Sequence, residues 1–350
     1  MRSRKVKEPY VAITKAFTES KSLEKALDML PIDKVIEKGD TVIITPNWVN
    51  DKGPKTGAVV GPKTLKTLIE YVKSKEPSKI YIATGSGGGK TPDIMTKVGY
   101  DKVISEENVE FIDLNYGPYV NLQLDHHIIK STPINKIIDE ADVIISFTQL
   151  KNHEEATITA SIKNIAMGWP PAEVHGYPKK NTGIHEDLHG FIRAFANKVP
   201  IDLAIVSCDK AMVGTGPSSG KSVDTPGLII ASTDPVAADA VGARLLGFLP
   251  QAVAYLYGLY NDKVGEARVE KMDIKGLDIK EAEKIFSKAA YDDKNATLDN
   301  EKLKDIQSES AEFTTSHKII VLSLFIGIGI IVYGVLKLEF WIPQIAAVFL

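Results

Sequence analysis

The sequence predicts an α/β fold: a mostly parallel sheet, or two, with helices on both faces, room for two subdomains, and one C-terminal transmembrane helix. Three observations predict it. Short β-branched apolar runs alternate with amphipathic stretches from residue 10 to about 247. Those runs are continuous rather than alternating, as strands buried on both faces read. Near the end, Ile319 to Leu336 form a charge-free apolar run, long enough to span a bilayer as a helix.

The strand candidates are YVAITKA (10–16), TVIITP (41–46), KIYIATG (79–85), VEFIDLN (109–115), DVIISFT (142–148), DLAIVSCD (202–209) and GLIIAST (227–233). Helical patterns lie between several of them: 22–30, 61–75, 185–199 and 235–247. This alternation argues for parallel strands joined by covering helices. From about Gly265 the chain becomes charged and suggests one or two closing helices. The expected division is an N-terminal α/β subdomain over 1–150 and a second over 151–294. A polar stalk over 295–317, a transmembrane helix over 318–337 and an apolar tail over 338–350 follow.

At 1.5 Å rise per residue the run from 319 to 336 spans roughly 27 Å, close to the ~30 Å hydrocarbon core. Lys318 and Lys337 bracket it and can snorkel to the headgroups. Arg2, Arg4, Lys5 and Lys7 are basic, but no apolar stretch of signal-peptide type follows. The expectation is a single-pass, tail-anchored protein with membrane lipid as a partner and its globule on the cytoplasmic side. The tail after Glu339 could lie at the surface or turn back into the membrane.

A net charge of −3 gives no basic footprint for nucleic acid, so no nucleic-acid partner is expected. The single cysteine, Cys208, excludes an internal disulfide framework. It ends an apolar run and reads as a buried strand thiol.

Many strand candidates end in small or polar residues, and in open α/β sheets ligands bind outside those carboxyl ends. Asn47 and Asp51 follow the second candidate, and Gly85, Gly87, Gly88 and Lys90 the third. The stretch ATGSGGGKT (83–91) resembles a phosphate loop but holds Thr84 where a Walker A motif needs its first glycine. It reads as an anion-cradling loop, a nucleotide loop or a plain turn. Lys151, His153, Lys163 and Asn164 follow the fifth candidate. His153 is a candidate acid/base, and Lys163 a nucleophile, a cofactor-attachment point or an anion anchor; a surface histidine and a solvated lysine are the bland reading. His185 and His189 are spaced i, i+4, as metal-binding pairs on helices are, or as boundary histidines can be. His126 and His127 are expected to point to different sides. Gly214 and Gly216, in GTGPSSGK, suit a second anion-binding turn or a simple corner. Asp234 before Pro235 reads as a helix N-cap.

Together GDTVIITPNWV, LKNHEEATITASIKNIAMG, GTGPSSGK and TDPVAADAVGARLLG, in that order, resemble the domain-of-unknown-function family 362. The resemblance covers roughly residues 10 to 260 and implies architecture more than activity. Many relatives append ferredoxin modules, but one cysteine cannot bind a four-cysteine iron–sulfur cluster. The family usually has Lys-Pro-Asn where this chain has Thr45, Pro46 and Asn47. More distantly, His153-x9-Lys163 is similar to the motif of nickel-pincer lactate racemases. That resemblance implies an acid/base role for His153 and covalent attachment of a pyridinium cofactor to Lys163. The second catalytic histidine of that family is missing, since Ser86, Gly87 and Gly88 fill its region.

The expected function is an enzyme acting on a small anionic ligand at a loop-built site, isomerase-like or dependent on a metal or lysine-linked cofactor. The alternatives are a non-catalytic membrane-tethered ligand-binding or scaffold module, and a nucleotide-binding protein using the Gly85–Lys90 loop.

Overall fold

The structure, a computed structural model, describes residues 2–291. The expected stalk (295–317), transmembrane helix (318–337) and tail (338–350) lie outside the described residues. Among the described residues no helix is long and apolar enough to cross a membrane.

Among the described residues twelve strands form in chain order: β1 (Tyr10–Lys15), β2 (Thr41–Pro46), β3 (Lys79–Thr84), β4 (Glu110–Asp113), β5 (Tyr119–Gln123), β6 (Ser131–Asn135), β7 (Val143–His153), β8 (Thr157–Thr159), β9 (Leu203–Val213), β10 (Lys221–Asp224), β11 (Leu228–Ser232) and β12 (Asp273–Gly276). The helices are α1 (Glu19–Asp28), α2 (Ile32–Val35), α3 (Pro62–Lys73), α4 (Thr91–Val98), α5 (Tyr100–Glu106), α6 (Ser161–Gly168), α7 (Ala172–His175), α8 (Leu188–Ala196), α9 (Pro235–Leu245), α10 (Ala254–Asn261) and α11 (Ile279–Tyr291).

One sheet runs in the order β12-β1-β11-β9-β7-β2-β3-β4, with β8 and β10 attached to β7 and β9. The pairings β9–β7, β7–β2, β2–β3, β3–β4 and β1–β12 are parallel. The sheet is thus mostly parallel, as the apolar runs predict. The middles of its central strands are continuously apolar because each face packs a separate core. Along β2, Val42 and Ile44 enter one core while Ile43 enters the other. The first core is closed by Leu23 and Leu27 of α1 and by Leu65, Leu68, Ile69 and Val72 of α3. The second is closed by Ile162 and Ile165 of α6, Phe191 and Phe195 of α8, Val241 of α9 and Phe286 of α11. Burying one such side chain contributes about 1.5–3 kcal/mol, so a two-sided sheet is the large stabilising term here. Every residue of α9 is buried, which explains its small residues and weak polar face.

Three details differ from the expectation. β11 runs antiparallel between β1 and β9. A strand buried on both faces looks the same in either direction, so its composition could not reveal this. β5 and β6 form a separate antiparallel hairpin. The boundary expected at 150/151 falls inside β7, and the described residues cluster as one unit. The sheet is therefore continuous across that point.

Candidate active site

A cavity of about 400 Å³ opens at the carboxyl ends of β2, β3 and β7. β7 extends to His153 because it pairs with β8 in a hairpin, Lys151 opposite Thr159 and His153 opposite Thr157. Lys151 and His153 therefore sit on strand and not on the loop that their polarity suggests. Two residues apart, they share one face of it. The hairpin leads straight into α6, whose first turn carries Lys163 and Asn164.

That turn is capped from a distance. Ala160 offers no capping side chain. The buried carboxylate of Asp239, on α9, accepts instead from Ser161 N (2.7 Å), Ile162 N (3.1 Å) and the Ser161 hydroxyl. Asn164 Nδ2 then ties α6 to the sheet through Thr45 O (2.9 Å) and Ser146 Oγ (3.1 Å). Trp169 Nε1 donates to Thr45 Oγ1 (3.2 Å). On the opposite wall, Trp48 stacks on Tyr100 with ring centroids 4.0 Å apart.

The cavity gathers cations. Lys151, Lys163, Lys179 and Lys180 line it with His153 and His185, against Glu154 and Glu155. Lys151 Nζ donates to Asn47 Oδ1 (3.0 Å) and Ala58 O (2.8 Å). Lys179 Nζ donates to Gly85 O (2.9 Å), Met167 O (2.8 Å) and Gly168 O (3.4 Å), so it seals the end of α6. A cation suits the unpaired carbonyls of a helix C-terminus. Lys163 Nζ, by contrast, donates to no described residue. Burial lowers Lys151 to about 7, with help from the Lys163 charge. It lowers Lys163 to about 8, with Glu155 pulling the other way, and Lys179 to about 7.

His153 is held in one tautomer. Its Nδ1 accepts from Glu155 N and Ala156 N, both at 3.1 Å. Nε2 must then carry the proton in the neutral ring. Burial, then Lys163 and Lys151, push its pKa down to about 2. His153 is thus a neutral hydrogen-bond donor near pH 7 in the ligand-free site. The pair His185–Glu155, with Lys180 Nζ on Glu155 Oε1 (2.8 Å), forms the remaining charged wall.

Of the residues singled out in the sequence, Asn47, Gly85, Gly87, Gly88, Lys151, His153, Lys163, Asn164 and His185 line this cavity. Five do not. Asp51 is exposed and paired with Lys97. Lys90 is exposed at the start of α4. The loop of Gly214 and Gly216 lends Pro217 and Ser218 in their place, while Gly216 O accepts from Glu154 N. His189 stacks on Tyr255 at 5.7 Å. Two positions of the Gly85–Lys90 loop have no room for a side chain: a Cβ on Gly88 would lie 2.4 Å from Val49 O, and one on Gly85 2.6 Å from Asn115 Oδ1. Its Gly88 and Ser86 amides are already taken by Val49 O and Thr91 Oγ1.

Lys179 and Lys180 were not foreseen. Two lysines in an aperiodic stretch read as solvated; the glycines at positive φ around them, Gly176 and Gly183, were the available signal of a shaped loop. Among the described residues, the group of three whose ligand atoms lie within 4.8 Å of one another is His126, His127 and Asp187. The two histidines converge although adjacent in sequence. His126 Nδ1 accepts from Ile129 N (2.9 Å), so its Nε2–H faces Asp187, which caps α8 through Gly190 N (3.0 Å). Both nitrogens of His126 are thus engaged, which leaves this histidine no free lone pair for a metal.

Residues 42–244, over half the chain and every residue of the cavity, match the family described as a domain of unknown function, DUF362. The chain belongs to that family. In this chain residues 47, 151, 153, 163 and 164 share one location. The thylakoid-associated protein sll1697 of Synechocystis sp. is 23% identical over 219 residues, covering 62% of this chain and 66% of that protein, just under two thirds of its length. The lactate racemase apoprotein of Thermoanaerobacterium thermosaccharolyticum is similar in structure at a TM-score of 0.41 and 20% identity, covering 69% of this chain and 58% of that one.

His153 is not oriented as a ligand for the nickel group that the racemase-like motif implies. A metal-bound histidine donates its second ring N–H to an acceptor. His153 does the reverse, receiving two backbone N–H groups at Nδ1. His185, whose Nδ1 faces the Glu155 carboxylate, is the cavity histidine oriented as a metal ligand would be, with Nε2 left over.

Proposed function

We propose that this family-362 protein is an enzyme that binds a small organic anion in the cavity and polarises it through His153. The observation that carries this reading is the convergence of Lys151, Lys163 and His153 on one cavity. Fixed donors in a water-poor pocket stabilise developing negative charge more strongly than water does. A neutral imidazole suits that role, because it donates a hydrogen bond without releasing its proton at neutral pH. Nucleotide binding through Lys90 is less favoured, since that side chain is exposed and outside the cavity.

The test is a thermal-shift panel of small carboxylates and phosphate esters, followed by NMR turnover assays on those that bind. Binding should be specific, and His153→Ala should cut turnover about 100-fold or more, in the range of general acid–base or oxyanion donors. Turnover unchanged in both His153→Ala and Lys163→Ala would sink the proposal and leave a binding module.

We further propose that the apolar run from Ile319 to Leu336 tethers this chemistry to a membrane. The run is charge-free and flanked by Lys318 and Lys337. Alkaline carbonate should leave the full chain in the membrane pellet and release a version ending at residue 317. Extraction of both would contradict the tether.

A further inference from the structure

We propose that the cavity takes a 2-oxo acid, whose carbonyl carbon Lys163 captures as an iminium. This rests on the reading of the cavity as an anion site, and decides among the roles open to Lys163.

The donors left free in the cavity select the ligand. An ammonium has three N–H groups. Lys179 directs its three at Gly85 O, Met167 O and Gly168 O, so none remains for a ligand. Lys151 uses two, on Asn47 Oδ1 and Ala58 O, and keeps one. His153 has its Nε2–H. Lys151 and His153 stand on the same face of β7, so their free N–H groups can bracket the two oxygens of a carboxylate. The Thr159 hydroxyl, opposite Lys151 on β8, lines the same wall and is buried without a partner. It is a further donor waiting for a ligand oxygen.

Lys163 differs from these groups. The residue lines the cavity and is buried, and its nitrogen has no hydrogen-bond partner among the described residues. The helix beneath it is pinned by Asp239 and Asn164, so the nitrogen is carried on a rigid element. Desolvation is what makes a lysine amine available as a nucleophile near neutral pH, and Lys163 titrates at about 8. Lys151 and Lys179 are also lowered, but their nitrogens are engaged with oxygens. A ligand with its carboxylate at Lys151 and His153 and an adjacent carbonyl at Lys163 satisfies each of these groups at once.

The step balances without a co-reactant. The Lys163 nitrogen adds to the carbonyl carbon and a C–N bond forms. The carbonyl oxygen leaves as water, whose two protons are the two that the ammonium gives up. The product is an iminium, with no change of oxidation state.

The test uses the full chain with pyruvate and 2-oxoglutarate, with propionate and glutarate as carbonyl-free counterparts. Sodium borohydride is added, and intact mass and peptide mapping follow. The expected result is a single adduct, of the acid's mass less one oxygen atom, on the peptide containing Lys163. It should be absent with the carbonyl-free acids and in Lys163→Arg, which keeps the charge. No adduct with either oxo acid, or an adduct on another lysine, overturns the proposal. A thermal shift by the acids without trapping would then leave the anion site standing. The absence of both would remove the anion site as well.

Discussion

Replacing Asp239 with alanine should destabilise the protein by about 3–5 kcal/mol and lower its melting temperature by roughly 10 °C. The carboxylate is fully buried and receives Ser161 N, Ile162 N and the Ser161 hydroxyl. Its loss strands all three donors at the first turn of α6, each at about 1–3 kcal/mol, not fully additive. Asp239→Asn keeps one acceptor oxygen and should lose less. Burial raises the Asp239 carboxyl to about 7, against the hydrogen bonds that pull it down. A raised folded pKa contributes stability that is present below about pH 4 and lost as pH rises through about 7. The margin of the native protein over Asp239→Asn should therefore shrink across that window. Circular-dichroism melts at pH 5 and pH 8 check both statements. Because α6 carries Lys163 and Asn164, Asp239→Ala should also weaken anion binding without touching the ligand.

Anion affinity should fall steeply as pH rises from about 6 to 9. Three lysines beside the cavity titrate at about 7, 8 and 7 when it holds no ligand. Their ordinary value is about 10.4. A depressed folded pKa contributes stability present above the unfolded value and lost as pH falls through the folded one. The ligand-free protein should therefore gain lysine-derived stability from about pH 7 up to about pH 10. An anion reverses the preference: it favours the ammonium and raises those values, so protons enter with it. Each proton taken up makes affinity change by up to about tenfold per pH unit. Surface lysines, ionised throughout this range, would give no such slope.

Much of the fold was legible because the sheet is covered twice. In runs such as Thr41–Pro46 and Lys79–Thr84 the central residues 42–44 and 80–83 are all hydrophobic, since neighbouring residues feed different cores. The same property hid the direction of β11. The site was half legible. Polar residues after β2, β3 and β7 pointed to the right edge of the sheet, and Asn47, Lys151, His153, Lys163 and Asn164 met there. Position after a strand does not say which way a side chain turns: Asp51 and Lys90 follow strands and end in solvent. The i, i+4 spacing of His185 and His189 misled because a 3-10 turn, Ile184–Asp187, precedes α8, so the two do not share one helix. Lys179 was invisible for a physical reason. A lysine is buried only where carbonyls receive it, and the end of α6 and Gly85 supply them.

The central claim is that a small anion binds among lysines that are partly neutral until it arrives. Isothermal titration calorimetry of one bound acid near pH 8, in buffers of different ionisation enthalpy, tests it most directly. The account predicts net proton uptake on binding, diminished in Lys163→Gln and in Lys151→Met, and a dissociation constant that weakens from pH 7 to pH 9. Binding with no proton uptake and no pH dependence would contradict it.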